Sequence, residues 1–297
     1  MAQAQATPKW KRRVLGLAAA VSPALALTLD PAPSEAAALA RRQAPPTATP
    51  AEQVIFLIPL VGPHHVGDWH AVTARLARTL ESFQRQRGDW QAVICCQERP
   101  PLPDDPRTTW LPFTDPTPGN DKWRKLAALC DHLPALTRKP AYVMSFDADD
   151  LLRDGTVAEM LDQQARGYLV AQGYVMDHAS GEVALAAPPS LRQPLRKPFW
   201  KLCGSCMALR HDPDLPQSAP FLRAMTAHEH RMFPYLARLA GLAPVALPRP
   251  AVLYVLNHGE NFGARRGRVG FKTRFVRRFA LRDAAERAAV ARDFPAP

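Results

Sequence analysis

The segment Ala141-Tyr-Val-Met-Ser-Phe-Asp147-Ala-Asp149-Asp150 constrains this chain most, because an apolar strand runs directly into three carboxylates. Side chains alternate along an extended backbone. Asp147 and Asp149 are therefore expected on one side, about 7 Å apart at roughly 3.3 Å per residue. Two hard oxygen donors so placed can share one divalent cation. Open α/β sheets bind ligands outside the carboxyl ends of their strands, and a cation held there by one or two carboxylates commonly also binds substrate phosphates.

The elements around this segment alternate. Gln53-Val-Ile-Phe-Leu-Ile-Pro59 is a continuous apolar run, the pattern of a strand buried on both faces of a parallel sheet. Val72, Leu76, Leu80 and Phe83 then recur at helical spacing. A second strand is expected at Ala92–Cys96, a Pro-rich loop at 100–118 and a helix at 122–132, before the strand that delivers the carboxylates. Thr156-Val-Ala-Glu159 has the capping-box pattern and predicts a helix ending near Gly167. Further strands are expected at 168–176, 182–186, 202–209 and 251–256, with a helix over 221–240 interrupted by Pro234. Such an order predicts an α/β layer on a mixed, mostly parallel sheet.

Residues 1–50 are expected to lie outside this core as a disordered or targeting-like segment. Their second half is rich in Ala and Pro, and Lys9-Trp-Lys-Arg-Arg13 precedes an uncharged run, 14–29, in the order of a secretory signal, a twin-arginine signal or a peripheral anchor. Five cysteines, with Cys95 and Cys96 adjacent in an apolar stretch, point to reduced thiols and a cytoplasmic location. Cys203-Gly-Ser-Cys206 has the spacing of half a zinc site or a redox pair, without a second pair to complete four ligands.

A net charge of +11 implies an anionic partner: nucleic acid, lipid head groups or a phosphorylated substrate. Much of that charge falls in residues 264–297, read as a basic amphipathic C-terminal helix. There Arg265, Arg266, Arg268, Lys272, Arg274, Arg277, Arg278 and Arg282 accompany Phe271, Phe275 and Phe279 at helical spacing. That helix either lies on an anionic membrane, peripheral to its inner face, or docks its phenylalanines on the core.

A first strand ending in Ile-Pro, the pattern Leu80-Glu-Ser82-Phe-x-x-Gln86, and a strand closing on Phe146-Asp-Ala-Asp-Asp150 together resemble GT-A-fold glycosyltransferases, most nearly the family 2 type, over roughly Val54 to Phe262. The resemblance implies a nucleotide-binding α/β/α sandwich over residues 51–263. It implies that Asp147 sits near the ribose or the metal, and that Asp149 ligates a Mn2+ or Mg2+ ion bridging the donor's diphosphate. Gln97 or Glu98 would face the base, and Lys122 or Lys125 would meet phosphate oxygens as point charges. His258 would be a third metal ligand, which favours manganese. Glu229 would be the general base toward the acceptor hydroxyl, with His228 or His230 as alternatives.

The implied partners are a nucleotide-sugar donor and a glycan, lipid-linked or other hydroxyl acceptor, with no nucleic acid. The activity implied is metal-dependent, inverting sugar transfer. Two rival readings remain open from the residues alone. One is a metal-dependent hydrolase with a zinc site drawn from His64, His65, Asp147, Asp149, His228, His230 and His258. The other is a non-enzymatic binder of nucleic acid or an anionic surface through the basic C-terminal segment.

Overall fold

A computed structural model describes residues 3–45, 49–259 and 269–296. The expected boundary at 263/264, the end of the family-like segment and the basic residues Arg265, Arg266 and Arg268 lie outside them.

Three helices come first: α1 (Lys9–Val21), α2 (Pro23–Leu27) and α3 (Pro33–Gln43). They overturn the expectation of a disordered segment outside the core. Leu15, Ala19, Ala26, Ala38 and Leu39 are buried in the main hydrophobic cluster. The prolines that read as linker open helices instead: Pro23 and Pro33 stand in the first turns of α2 and α3, where the missing N–H costs nothing. Glu35 completes the start of α3 by accepting from the Ala32 N–H at 2.8 Å.

Then follow β1 (Gln53–Pro59), α4 (Trp69–Gln84), β2 (Asp89–Cys96), β3 (Thr108–Pro112), α5 (Lys122–Leu136) and β4 (Ala141–Ser145). The chain continues through β5 (Asp150–Leu152), α6 (Thr156–Gln163), β6 (Gly167–Leu169), β7 (Gly173–Asp177), β8 (Glu182–Ala186) and β9 (Met207–His211). It closes with α7 (Ser218–Thr226), α8 (Phe233–Leu239), β10 (Val245–Ala246), β11 (Val252–Leu256), α9 (Val269–Phe279) and α10 (Ala284–Asp293).

Seven strands form the main sheet in the order β10-β6-β9-β4-β1-β2-β3, with β9 the one antiparallel member. The mixed, mostly parallel sheet expected from the sequence is therefore present. Its centre is β1, buried over its first six residues as a strand covered on both faces must be. Phe83 of α4 stacks on Phe56 of β1 with ring centroids 4.0 Å apart, and Phe146 meets both rings edge-on. Helices α5 and α6 also pack on β1.

A second sheet, β5-β11-β7-β8, stands beside the first. The stretch 168–176, read as one strand, splits so that β6 joins the main sheet and β7 the small one. Helix α9 turns Phe275 and Val276 into the core and leaves Phe271 exposed, so of the two readings of its aromatic stripe the structure adopts core docking. Val290 and Phe294 of the last segment close over Leu151, Leu253 and Val255. No helix among the described residues is long and apolar enough to cross a membrane.

Candidate active site

The three carboxylates do not continue the strand. β4 ends at Ser145, the Phe146 N–H still donates to Leu57 O at 2.9 Å, and residues 147–150 then form a turn closed by Asp150 N–H to Asp147 O at 3.2 Å. The alternation expected to align Asp147 with Asp149 is thus replaced by a turn that carries the chain from the main sheet to the small one. Asp150 begins β5 and is wholly buried, whereas Asp147 and Asp149 line a cavity of about 300 Å³.

Helix α4 holds this turn from behind. Thr79 Oγ1 donates to Asp150 O at 2.8 Å, Ser82 Oγ accepts from Leu152 N–H at 3.1 Å, and Gln86 Nε2 donates to Arg153 O at 3.0 Å. The Ser82-x-x-x-Gln86 part of the family-like pattern is therefore a buried polar clamp. With Thr79 it satisfies backbone groups on the outer edge of β5, whose other edge pairs with β11, and of Arg153 just after it. From the opposite side comes Cys203-Gly-Ser-Cys206. Ser205 Oγ accepts the Asp147 N–H at 2.8 Å and donates to Asp150 Oδ2 at 2.5 Å, and the Cys203 thiol donates to the same oxygen at 3.0 Å. Gly204 permits the approach, since a Cβ there would sit 3.2 Å from Asp147 Oδ2. All five cysteines are free and buried, and this motif forms neither a disulfide nor half of a four-ligand zinc site among the described residues.

Charge is concentrated here. Lys122, the first residue of α5, places Nζ 2.5 Å from Asp147 Oδ1. Burial raises the Asp147 carboxyl, but the Lys122 ammonium outweighs it and leaves the group below its ordinary range. Burial would likewise lower Lys122, yet Asp147 holds it above its usual value. Asp150 goes the other way: burial drives it well above the usual carboxylate range, and the Asp149 and Asp147 charges add to the effect. Burial and then Asp150 push the Cys203 thiol well up, so it stays protonated as a donor.

His258, just after β11, meets Asp149 Oδ2 through Nε2 at 2.8 Å. Its neighbour Asn257 takes a left-handed φ of 63° and is tied by its side chain to Asp177 Oδ1 at 2.9 Å, which turns the chain toward the cavity. Glu229 also lines the cavity, between His228 and His230. His228 is engaged elsewhere, with Nε2 2.7 Å from Ser34 Oγ of α3. Burial, followed by the Lys122 and Lys272 cations, lowers His230 to about 4, so it is neutral at pH 7.

Asp147, Asp149, Lys122, His258 and Glu229 thus line one cavity. Two expected residues do not join them. Lys125 is fully buried behind the wall, bonded to Leu60 O at 2.6 Å, Gln97 Oε1 at 2.8 Å and Asp121 Oδ2 at 2.7 Å, and so meets no ligand. It sits three residues beyond Lys122, on the side of α5 that faces β1. Glu98 points to solvent beside His64, at 3.5 Å, and is not part of the cavity lining. His64 and His65 are likewise exposed and outside the lining, which removes two members from the zinc site of the hydrolase reading.

Tyr254 and Lys272 line the cavity as well, joined by a 2.7 Å hydrogen bond from the ammonium to the phenol oxygen. In the sequence Lys272 is one of the basic residues of the C-terminal segment, with surface and core-docking readings both open. Its spacing from Phe275, Val276 and Phe279 was the signal that it shares their inward side.

Asp147, Asp150 and Cys203 can hold a metal ion, since one ligand atom of each lies within 4.8 Å of the others. The residues fit a cation: Asp150 Oδ1 is buried without a hydrogen-bond partner among the described residues, and burial together with the Asp149 and Asp147 charges, which raise its carboxyl, is what a cation there would offset. A buried acceptor so placed is costly unless positive charge meets it. No family model matches the chain, and no curated protein matches it.

Proposed function

We propose that the chain is a GT-A-type, metal-dependent glycosyltransferase that moves a sugar from a nucleotide diphosphate to an acceptor hydroxyl with inversion. One observation carries this reading: carboxylates, a lysine, a histidine and a separate acid converge in one cavity at the carboxyl ends of β1 and β4, where Pro59 and Ser145 form part of the wall.

Asp147, grouped with Asp150 and Cys203, would hold Mn2+ or Mg2+, with Asp149 and its partner His258 as further donors on the cavity side. When bound, such a cation supplies positive charge against the leaving diphosphate. Lys122 binds a phosphate oxygen as a point charge and is already oriented by Asp147, so it needs no reorganisation as charge develops. Glu229 accepts the proton of the attacking hydroxyl, a step that typically contributes about 10² to 10⁴ in rate. Neutral His230 keeps a third cation away from Lys122 and Lys272. Lys272, through Tyr254, adds a second ammonium for the diphosphate. The free thiols accord with a reducing, cytoplasmic compartment.

A thermal-shift screen of nucleoside diphosphates with and without manganese tests the reading. One nucleotide is expected to raise Tm by roughly 4 °C or more at saturating concentration, and only with the cation. No shift with any nucleotide in either condition rejects it.

A further inference from the structure

Helix α1 is bound to the protein along one side and shows an apolar side outward. Leu15 and Ala19 are buried, and Arg12 lies 5.7 Å over the ring of Tyr235. On the outer side Trp10, Val14, Leu17 and Val21 recur at intervals of four, three and four, with 68, 45, 73 and 81% of their surface exposed. Gly16, Ala20 and Ala24 are exposed between them, and Leu25 of α2 extends the strip at 47%. Contiguous exposed apolar surface of this kind marks a contact with a membrane or a partner.

Charge selects the occupant. Residues 1–29 contain Lys9, Lys11, Arg12 and Arg13 and no acid. Lys9 and Arg13 are exposed at the end of the helix where Trp10 stands, the arrangement in which an indole and long cationic side chains straddle a head-group boundary. A second copy of α1 and α2 offers no acid to meet those cations; Asp30, the first acid after them, lies beside Lys11, which bonds its backbone oxygen at 2.6 Å. Anionic lipid supplies the negative charge.

We propose that α1 and α2 lie in the plane of an anionic lipid surface, with Trp10, Val14, Leu17, Val21 and Leu25 immersed and Lys9 and Arg13 among the head groups. The basic helix α9 is not the contact, because Phe275 is committed to the core. Helix α8 connects this face to the cavity: Tyr235 receives Arg12 on one side, and Phe233 forms part of the cavity wall. Resting on the glycosyltransferase reading, this placement assigns a lipid-linked hydroxyl as acceptor.

Co-sedimentation of the full chain with phosphatidylcholine vesicles, with and without about 30% phosphatidylglycerol, tests the contact without reference to activity. Binding to the anionic vesicles is expected, weakened at least tenfold by Leu17→Asp with Val21→Asp and by Lys9→Glu with Arg13→Glu, and reduced by high salt. A blue shift of tryptophan emission on binding should vanish in Trp10→Phe. Equal binding of the double variants, loss of binding only on reversing Arg274, Arg277 and Arg278, or no binding at all overturns the proposal. So does a dimer in solution that Leu17→Asp disperses, which would assign the strip to a second copy. Vesicle binding by a protein that fails the nucleotide screen leaves the membrane contact standing and removes only the acceptor.

Discussion

Lys122 Nζ lies 2.5 Å from Asp147 Oδ1 at the cavity wall, while three residues further along the same helix Lys125 is buried among three acceptors. The two lysines should therefore fail differently. Lys122→Met is expected to lower turnover on the order of 10²-fold, the scale of losing one preorganised charge, with a small change in Tm. Lys125→Met strands the buried Asp121 carboxylate and is expected to cost about 3–5 kcal/mol of stability. Thermal melts beside steady-state kinetics separate them, and similar melts for the two variants would contradict the assignment.

Metal binding divides the carboxylates in the same way. Asp149→Ala should abolish cation-dependent hydrolysis of the donor while leaving the fold intact, because its side chain is 25% exposed and lies outside the clamp formed by α4 and Ser205. Cys203→Ser, which keeps a donor to Asp150, should retain the ion dependence. Full activity with unchanged ion dependence in Asp149→Ala would mean that Asp147, Asp150 and Cys203 hold the ion without Asp149.

Glu229→Gln removes the proposed base and keeps the size of the side chain. Turnover should fall by about 10² to 10⁴ with KM little changed, since the lost interaction forms only as the acceptor proton leaves. NMR of the product anomer supplies the companion measurement. Inversion is expected, and a retained configuration would exclude Glu229 from this role.

The parts of this architecture visible in the sequence are those that one local pattern determines. β1, β2 and β4 are apolar runs with a single reading, and the carboxylates at the end of β4 mark the reactive edge. β3 was hidden in a Pro-rich stretch because it is a five-residue outer strand with partly exposed side chains and no apolar run. β5 has three residues, pairs on one side with β11 far downstream, and has its outer edge bonded by Thr79 and Ser82, 71 and 70 positions upstream. The fate of Lys272 and of α1 to α3 was set by which surface received them, a tertiary fact. Thr156-Val-Ala-Glu159 did mark a helix start, but Gly155 caps it with a φ of 78°, while Glu159 pairs with Arg153.

Acid should destabilise the protein through His211. Burial, its largest influence, lowers this imidazole from 6.5 to about 4, and it is hydrogen-bonded to Ser218 Oγ at 2.9 Å. The folded-state value lies below the unfolded one, so the contribution is complete above pH 6.5 and is lost as the pH falls toward 4, where the unfolded chain gains a proton that the folded chain resists. The loss approaches about 3 kcal/mol at the lower limit. Melting curves between pH 7 and 4 should show it, with a shallower slope in His211→Asn. An identical slope would remove His211 as the cause.

Two leucines two residues apart on α1 test whether the first helices belong to the folded body. Leu15 is wholly buried and packed in the main core, whereas Leu17 is 73% exposed. Truncating a buried leucine removes its transfer free energy and leaves a cavity, so Leu15→Ala should cost about 2–5 kcal/mol. Leu17→Ala leaves no cavity and should stay within about 0.5 kcal/mol of the parent in the absence of lipid. Because His228 and Tyr235 are bonded to Ser34 and Glu35 of α3, the Leu15→Ala loss should appear in the single unfolding transition of the whole protein. Denaturant unfolding followed by tryptophan fluorescence reads both effects. Equal, negligible changes for the two variants would mean that α1 hangs free of the core, and the lipid-facing strip would then lose the scaffold that presents it.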